Sequence, residues 1–333
     1  MNTESTGRDV WVCEVGPRDG LQIIAEIMPT AAKLEWIASE AAAGIPEIEV
    51  CSFVPSKLLP QFRDADEVAA AALRHPGLTV TALVPNLRGA ERAFHAGVHK
   101  VNFVLSASES HNQQNVRRST AESLQDFERI VELRNSHEAW RHIQLCGGVS
   151  TAFGCTIEGA IDEDTVVHLA EQYTRAGADK VSIADTVGYA NPVQVKRMFT
   201  RLGERLGGLD LTAHFHDTRG LGLANVYAAL EAGVRSFDAS LGGMGGCPWA
   251  PGATGNIVTE DLVYLLASAG LRTGVDLERL LDVRRIVRAA LPAVPLHGAL
   301  AQAGLPKGLE NRGADCQEIL AKQVHPLGRH TKP

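Results

Sequence analysis

The sequence predicts a closed (β/α)8 barrel with extra helices at its C-terminal end. Three observations predict it. Short apolar runs alternate with stretches of helical spacing, which favours a parallel sheet. Eight such units fit in about 260 residues, a common size for a TIM barrel. Four helical stretches close on Ala-Gly, at Ala43-Gly44, Ala96-Gly97, Ala176-Gly177 and Ala232-Gly233. A glycine there supplies the left-handed cap from which the chain turns into the next strand. An open doubly wound sheet is the competing arrangement. No GxGxxG follows the first apolar run, which weakens its dinucleotide-binding form.

In chain order, strands are expected at 10–15, 47–53, 78–84, 100–105, 143–149, 180–184, 211–215 and 236–241. Helical spacing is plainest at 30–43 and 162–176, and again after the barrel at 277–290 and 315–324. The expected organisation is a flexible N-terminus (1–9), a catalytic barrel (10–273), a helical appendage (274–325) and a flexible tail (326–333).

The 333 residues are 45% hydrophobic and 21% charged, which excludes wholesale disorder. Asp plus Glu outnumber Lys plus Arg by 39 to 32, so general nucleic-acid binding is not expected. No run of 18 apolar residues occurs, so no membrane helix is expected. The first ten residues, MNTESTGRDV, carry no apolar core of a signal peptide. Six scattered cysteines without a CxxC pair read as reduced thiols. A cytoplasmic location is the expectation.

Barrel chemistry sits at the C-terminal ends of the strands. The first strand ends Glu14-Val15-Gly16-Pro17-Arg18-Asp19-Gly20, a broken strand followed by an opposite-charge pair. Alone, that would read as a surface turn. The seventh ends His214-Phe215-His216-Asp217, and i, i+2 spacing on a strand puts both imidazoles on one face. Two such nitrogens make half of a metal site, and Asp19 could add a carboxylate from the first strand. A mixed N/O set of this kind suits Mg²⁺, Mn²⁺ or Zn²⁺. Asp185, at the end of the sixth strand, is a candidate base or a cap for the turn that follows. Glu49 lies among apolar neighbours in strand two and needs a partner, for which Arg18 is available. The eighth loop, 242–256, holds six glycines together with Pro, Trp and Cys247, which reads as a shaped lid with a thiol in it. Asn256 is a ligand or an N-cap for the helix after it.

These stretches resemble the 3-hydroxy-3-methylglutaryl-CoA lyase family, within the larger group of metal-dependent barrel lyases and Claisen-type synthases. The resemblance rests on Val15-Gly-Pro-Arg-Asp-Gly-Leu-Gln22, Ile48-Glu-Val-Cys-Ser-Phe-Val54, Ala184-Asp-Thr-Val-Gly188, His214-Phe-His-Asp-Thr218 and, most specifically, Gly245-Gly-Cys-Pro-Trp-Ala250. It implies metal ligands Asp19, His214, His216 and Asn256, with Mg²⁺ or Mn²⁺ as the ion. It implies catalytic roles for Arg18, Asp185, His214 and Cys247, with Glu49 ordering Arg18. It implies an acyl-CoA thioester substrate cleaved by retro-Claisen chemistry, and a homodimer or higher homo-oligomer is expected. Citramalyl-CoA cleavage, a synthase and a metal-binding scaffold are the alternatives. Two departures stand out. Arg219 follows His216-Asp-Thr where many members have Tyr, and Cys146-Gly147-Gly148 stand where Arg and Tyr are common. Both suit a differently shaped or more acidic acyl group.

Overall fold

The computed structural model describes residues 7–245 and 255–307. Eight parallel strands close into a barrel in sequence order: β1 (Trp11–Glu14), β2 (Glu47–Ser52), β3 (Thr79–Leu83), β4 (Lys100–Ser106), β5 (Gln144–Ser150), β6 (Lys180–Asp185), β7 (Asp210–Phe215) and β8 (Ser236–Ala239). All eight expected strands are present. Closure is made by β1 on β8, with Trp11 opposite Ser236 and Glu14 opposite Ala239.

The helices are α1 (Thr30–Ala42), α2 (Ala65–Ala72), α3 (Leu87–Ala96), α4 (Glu109–Val116), α5 (Thr120–Ser136), α6 (Glu163–Ala176), α7 (Pro192–Arg205), α8 (Gly222–Glu231), α9 (Thr259–Ser268), α10 (Leu277–Ala290) and α11 (Ala299–Ala303). The helices bury an apolar stripe toward the core, α10 doing so on α1. In α7 that stripe is Val195, Met198, Phe199 and Leu202, at the i, i+3, i+4, i+7 spacing of one helix face. Asn191 caps the start of α7 by accepting from the Gln194 N–H, and Pro192 sits where no donor is needed. Gly97 and Gly177 end α3 and α6 at φ +79° and +103°, as the Ala-Gly pattern implied.

The apolar core lies between the outer face of the strands and the helices. Phe215 on β7 meets Phe199, and Phe103 on β4 meets Phe127 of α5. The opposite face of the strands lines the interior, where it carries charge. There Glu47 pairs with Lys100 and accepts from Thr81 Oγ1 at 2.8 Å. A buried ion pair of this kind is satisfied in place rather than exposed to solvent.

The C-terminal helices are less separate than the sequence suggested. α10 packs on α1, its Leu277, Leu280, Val283 and Val287 belong to the same core, and the Asp276 N–H donates to the Ala43 carbonyl. The boundary at 273 is therefore no break in packing. The expected helix at 315–324 lies outside the described residues.

Candidate active site

The β1–α1 connection begins with a single π-helical turn, Gly16–Gly20. Val15's carbonyl accepts the N–H groups of Arg18, Asp19 and Gly20 at 3.1, 2.6 and 3.2 Å. That turn holds both charged side chains at the barrel rim. It requires glycine at 16, where a Cβ would come within 2.4 Å of Glu14 Oε1 and 2.7 Å of the Trp36 ring. Glu49 sits where the β2 register slips between Glu49 and Cys51, a bulge that re-aims side chains. Its carboxylate accepts from Arg18 Nε and, at 2.9 Å, from Asn102 Nδ2. Arg18 Nη1 also donates to Asp19 Oδ1 at 2.7 Å.

On β7, Phe215 points into the outer core, so His214 and His216 share the inner face, as the strand period requires. Their Nε2 atoms face each other at 3.1 Å. His214 Nδ1 is bonded to Asp238 Oδ2 at 3.1 Å, which aims its other nitrogen into the cluster. Asp19 Oδ2 lies 3.9 Å from His216 Nε2. Asn256 Nδ2 donates to Asp19 Oδ2 at 2.8 Å and to the Met244 carbonyl at 3.0 Å. Asn256 is thus drawn to the site and does not cap α9, whose capping position is Val258.

The electrostatics follow from burial and charge. Burial pushes the Asp19 carboxyl up, but Arg18 and both histidines outweigh it and hold it at about 2. Burial lowers His216, and neighbouring His214 lowers it further, to about 4. Asp238 overcomes the same burial at His214 and raises it. Burial raises Glu49 in spite of Arg18.

These groups fit a cation. One ligand atom each from Asp19, His214 and His216 lies within 4.8 Å of the others. Two imidazole nitrogens turned toward each other beside a carboxylate are poorly matched without a positive charge between them. Asn256 Oδ1 is buried and without a partner among the described residues, so a carbonyl oxygen is left over at the same place. Of the expected ligands, Asp19, His214, His216 and Asn256 are therefore brought together.

Asp185 is not brought to this cluster. In the β6–β7 ladder Ala184 pairs with His214 and Asp185 with Phe215, so Asp185 lies on the face turned away from the histidines. Its two oxygens accept the Tyr189 and Ala190 N–H groups at 2.8 and 3.0 Å. Burial raises it to about 6, against the pull of those N–H groups. Those two contacts are the ones a turn cap makes, the other role the sequence offered for Asp185. Arg219 Nη1 donates to the Val187 and Gly188 carbonyls at 2.9 and 3.1 Å, and its guanidinium stacks on Tyr189. It thereby pins the β6–α7 turn. Cys247 and the rest of 246–254 lie outside the described residues. The stems that carry them are close, since a Cβ on Gly255 would meet the Gly245 carbonyl at 2.3 Å and one on Gly245 would meet Asn256 Nδ2 at 2.6 Å.

Asp238 and Asn102 were missed in the sequence. Each stands behind a residue that was found, His214 and Glu49 respectively. Their signal was a polar side chain at an inward position of an apolar strand.

Fold and site together define a (β/α)8 barrel whose rim gathers a carboxylate, two histidines and an amide able to hold a cation. The chain belongs to the HMGL-like family, whose profile matches residues 9–287. It is 41% identical over 278 residues to hydroxymethylglutaryl-CoA lyase YngG of Bacillus subtilis, covering 84% of this chain and 92% of that protein. It is 39% identical over 306 residues to (R)-citramalyl-CoA lyase of Chloroflexus aurantiacus, covering 89% and 95%. Among solved structures, an HMG-CoA lyase from Acenitobacter baumannii in complex with coenzyme A and 3-methylmalate matches with a TM-score of 0.84. That match is 44% identical and covers 90% of this chain and 96% of the other.

Proposed function

We propose that this protein is a divalent-metal-dependent carbon–carbon lyase acting on a 3-hydroxyacyl-CoA, cleaving 3-hydroxy-3-methylglutaryl-CoA to acetyl-CoA and acetoacetate. The observation that carries the reading is the convergence of Asp19, His214, His216 and Asn256 next to Arg18. Hydroxymethylglutaryl-CoA lyases at about 40% identity over most of the chain support the same activity.

In this reaction the C3 hydroxyl loses its proton and becomes the ketone of acetoacetate. The C2–C3 bond breaks, and its electron pair passes to C2 and the thioester as an enolate. Protonation at C2 then gives acetyl-CoA. A bound Mg²⁺ or Mn²⁺ would place positive charge beside the C3 hydroxyl and ease its deprotonation. Asp19, His214, His216 and Asn256 would hold that ion. His214 holds Nδ1 on Asp238 and turns Nε2 toward His216 Nε2, and that one nitrogen cannot be both ligand and base. We assign that nitrogen to the ion. Arg18 fits the enolate oxygen. Its Nε is held by Glu49 and its Nη1 by Asp19, so the guanidinium is fixed while Nη2 has no protein acceptor among the described residues. Cys247 is the proposed donor to C2, on the sequence of its loop and on the position of the stems beside Asn256.

The test is an assay of purified enzyme with Mg²⁺ and each of two thioesters, 3-hydroxy-3-methylglutaryl-CoA and citramalyl-CoA. Products are separated by mass, and a chelator control is run alongside. Acetoacetate with acetyl-CoA, lost on chelation, is the expected result. Pyruvate from citramalyl-CoA alone would move the substrate to that of the Chloroflexus relative. Turnover of neither would overturn the lyase reading.

A further inference from the structure

We propose that Asn102 is a positioning residue for the carbon–carbon cleavage: it holds Glu49 to a one-oxygen grip on Arg18 and so keeps Arg18 Nη2 free for the enolate oxygen. The inference rests on the lyase reading and adds to it the residue that keeps Arg18 ready. Asn102 lies on β4, and Phe103 beside it meets Phe127 of α5, so alternation turns Asn102 into the barrel. From there its side chain reaches past β3 to β2, where Nδ2 donates to Glu49 Oε1 at 2.9 Å. Turned over, the amide would set its own oxygen against a carboxylate oxygen, so the donor faces Glu49. Asn102 Oδ1 is buried without a partner among the described residues, so this amide is anchored there through Glu49 alone.

The donors of Arg18 are shared out in a repeated pattern. Glu49 accepts from Nε with Oε2, and its other oxygen goes to Asn102. Asp19 accepts from Nη1 at 2.7 Å with Oδ1, and its other oxygen goes to Asn256 at 2.8 Å. Each carboxylate thus gives the guanidinium one oxygen while an amide holds the second. An unrestrained carboxylate beside arginine commonly takes two parallel N–H groups, and for one already on Nε the second is on Nη2. Nη2 is the nitrogen left without an acceptor among the described residues. Glu49 is fully buried, so without the Asn102 amide its Oε1 would have to find another donor. Lys100, two residues from Asn102 on the same inward face, is already paired with Glu47, and the Thr81 hydroxyl is bonded to Glu47 as well. Lys180 on β6 pairs with Asp210. The donor at hand is Arg18 Nη2. Glu49 would close on Arg18 with both oxygens, and the enolate oxygen would lose its partner.

The experiment measures kcat and KM for 3-hydroxy-3-methylglutaryl-CoA with Mg²⁺ on the full-length enzyme, in wild type, Asn102→Leu, Glu49→Gln and the double variant. Asn102→Leu keeps the size of the side chain and removes its amide. We expect it to lower kcat by about 100-fold, the scale of one lost oxyanion donor, with KM within about threefold and the melting temperature that of wild type. In the Glu49→Gln background the same substitution should cost less than about threefold, because an amide has one oxygen and cannot take Nε and Nη2 together. A residue that merely supported the fold would cost the same factor in both backgrounds, and that result overturns the proposal. So does an unchanged kcat in folded Asn102→Leu. Should Asn102→Leu fail to fold, Asn102→Ala removes the amide without adding bulk and is held to the same comparison. Either overturning result leaves the lyase reading standing, since wild type still cleaves the thioester. A wild-type enzyme that does not cleave it overturns the lyase reading, and the role of Asn102 with it.

Discussion

At the scale of single residues, His216 carries the plainest test of the cation site. Its Nε2 lies between His214 and Asp19, and its Nδ1 has no partner among the described residues. His216→Ala should weaken metal binding by at least about 100-fold, since even a residue behind a ligand is worth about 10–100-fold. Elemental analysis after dialysis reads this directly, and unchanged metal content removes His216 from the ligand set. Asp185 makes the opposite prediction. As a turn cap it holds two N–H groups, and Asp185→Asn sets an amide donor against one of them. Stability should fall by about 1–3 kcal/mol, the cost of one unsatisfied buried donor, with kcat changed by less than about tenfold. A loss of 10²-fold or more in kcat at unchanged melting temperature would return Asp185 to the chemistry.

At the scale of elements, the site depends on how three segments are tied. Glu14 closes β1 onto β8 and α9, accepting the Gly16 and Leu241 N–H groups at 2.7 and 2.9 Å and the Thr259 hydroxyl at 2.6 Å. Glu260 on α9 accepts the Gly242 N–H at 3.0 Å and pairs with Arg284 of α10, which in turn donates to the carbonyls of Leu296 and His297. The two carboxylates thereby hold both stems of the 246–254 segment and the turn that carries Asp19. Glu260→Ala would leave the buried Arg284 charge without its partner, at a cost of about 3–5 kcal/mol. Urea unfolding measures that loss, and a midpoint equal to wild type would mean that solvent replaces the pair. Neither glutamate was singled out in the sequence. Each sits in an ordinary strand end or first helical turn, and its value comes from segments more than two hundred residues away in the case of Glu14.

At the scale of the whole molecule, the same knot gives stability a pH dependence. Burial raises the Glu14 carboxyl from the usual carboxylate range to about 8, against its hydrogen bonds to Thr259, Leu241 and Gly16, and Glu260 adds to the rise. Burial and repulsion from Glu14 raise Glu40 as well. A raised folded-state pKa means that the folded protein keeps a proton which the unfolded chain has released. The stability tied to that proton is full below the unfolded value of about 4.3 and is lost as pH rises through about 8. The melting temperature should therefore fall between pH 5 and 8.5 more steeply in wild type than in Glu14→Gln, which cannot titrate. Parallel curves for the two proteins would mean that Glu14 is charged throughout.

What the sequence determined by itself is what repeats locally. Strand runs, Ala-Gly helix ends and the i, i+2 spacing of His214 and His216 are consequences of backbone period and of glycine's left-handed freedom, so they can be read without neighbours. Eight strands and a barrel followed from them, and the pairing of Glu49 with Arg18 followed from the cost of a lone charge among apolar neighbours. The tertiary structure alone decided which strand-end residue faces which way. Asp185 and His214 both stand at strand ends, but one residue of register on β6 puts Ala184, not Asp185, beside the histidine. It also decided that Asn256 joins Asp19 instead of capping a helix, that Arg219 is consumed by backbone carbonyls, and that α10 belongs to the core. Each is a contact between segments distant in the chain, and a linear pattern carries polarity and period but no record of which distant group lies opposite.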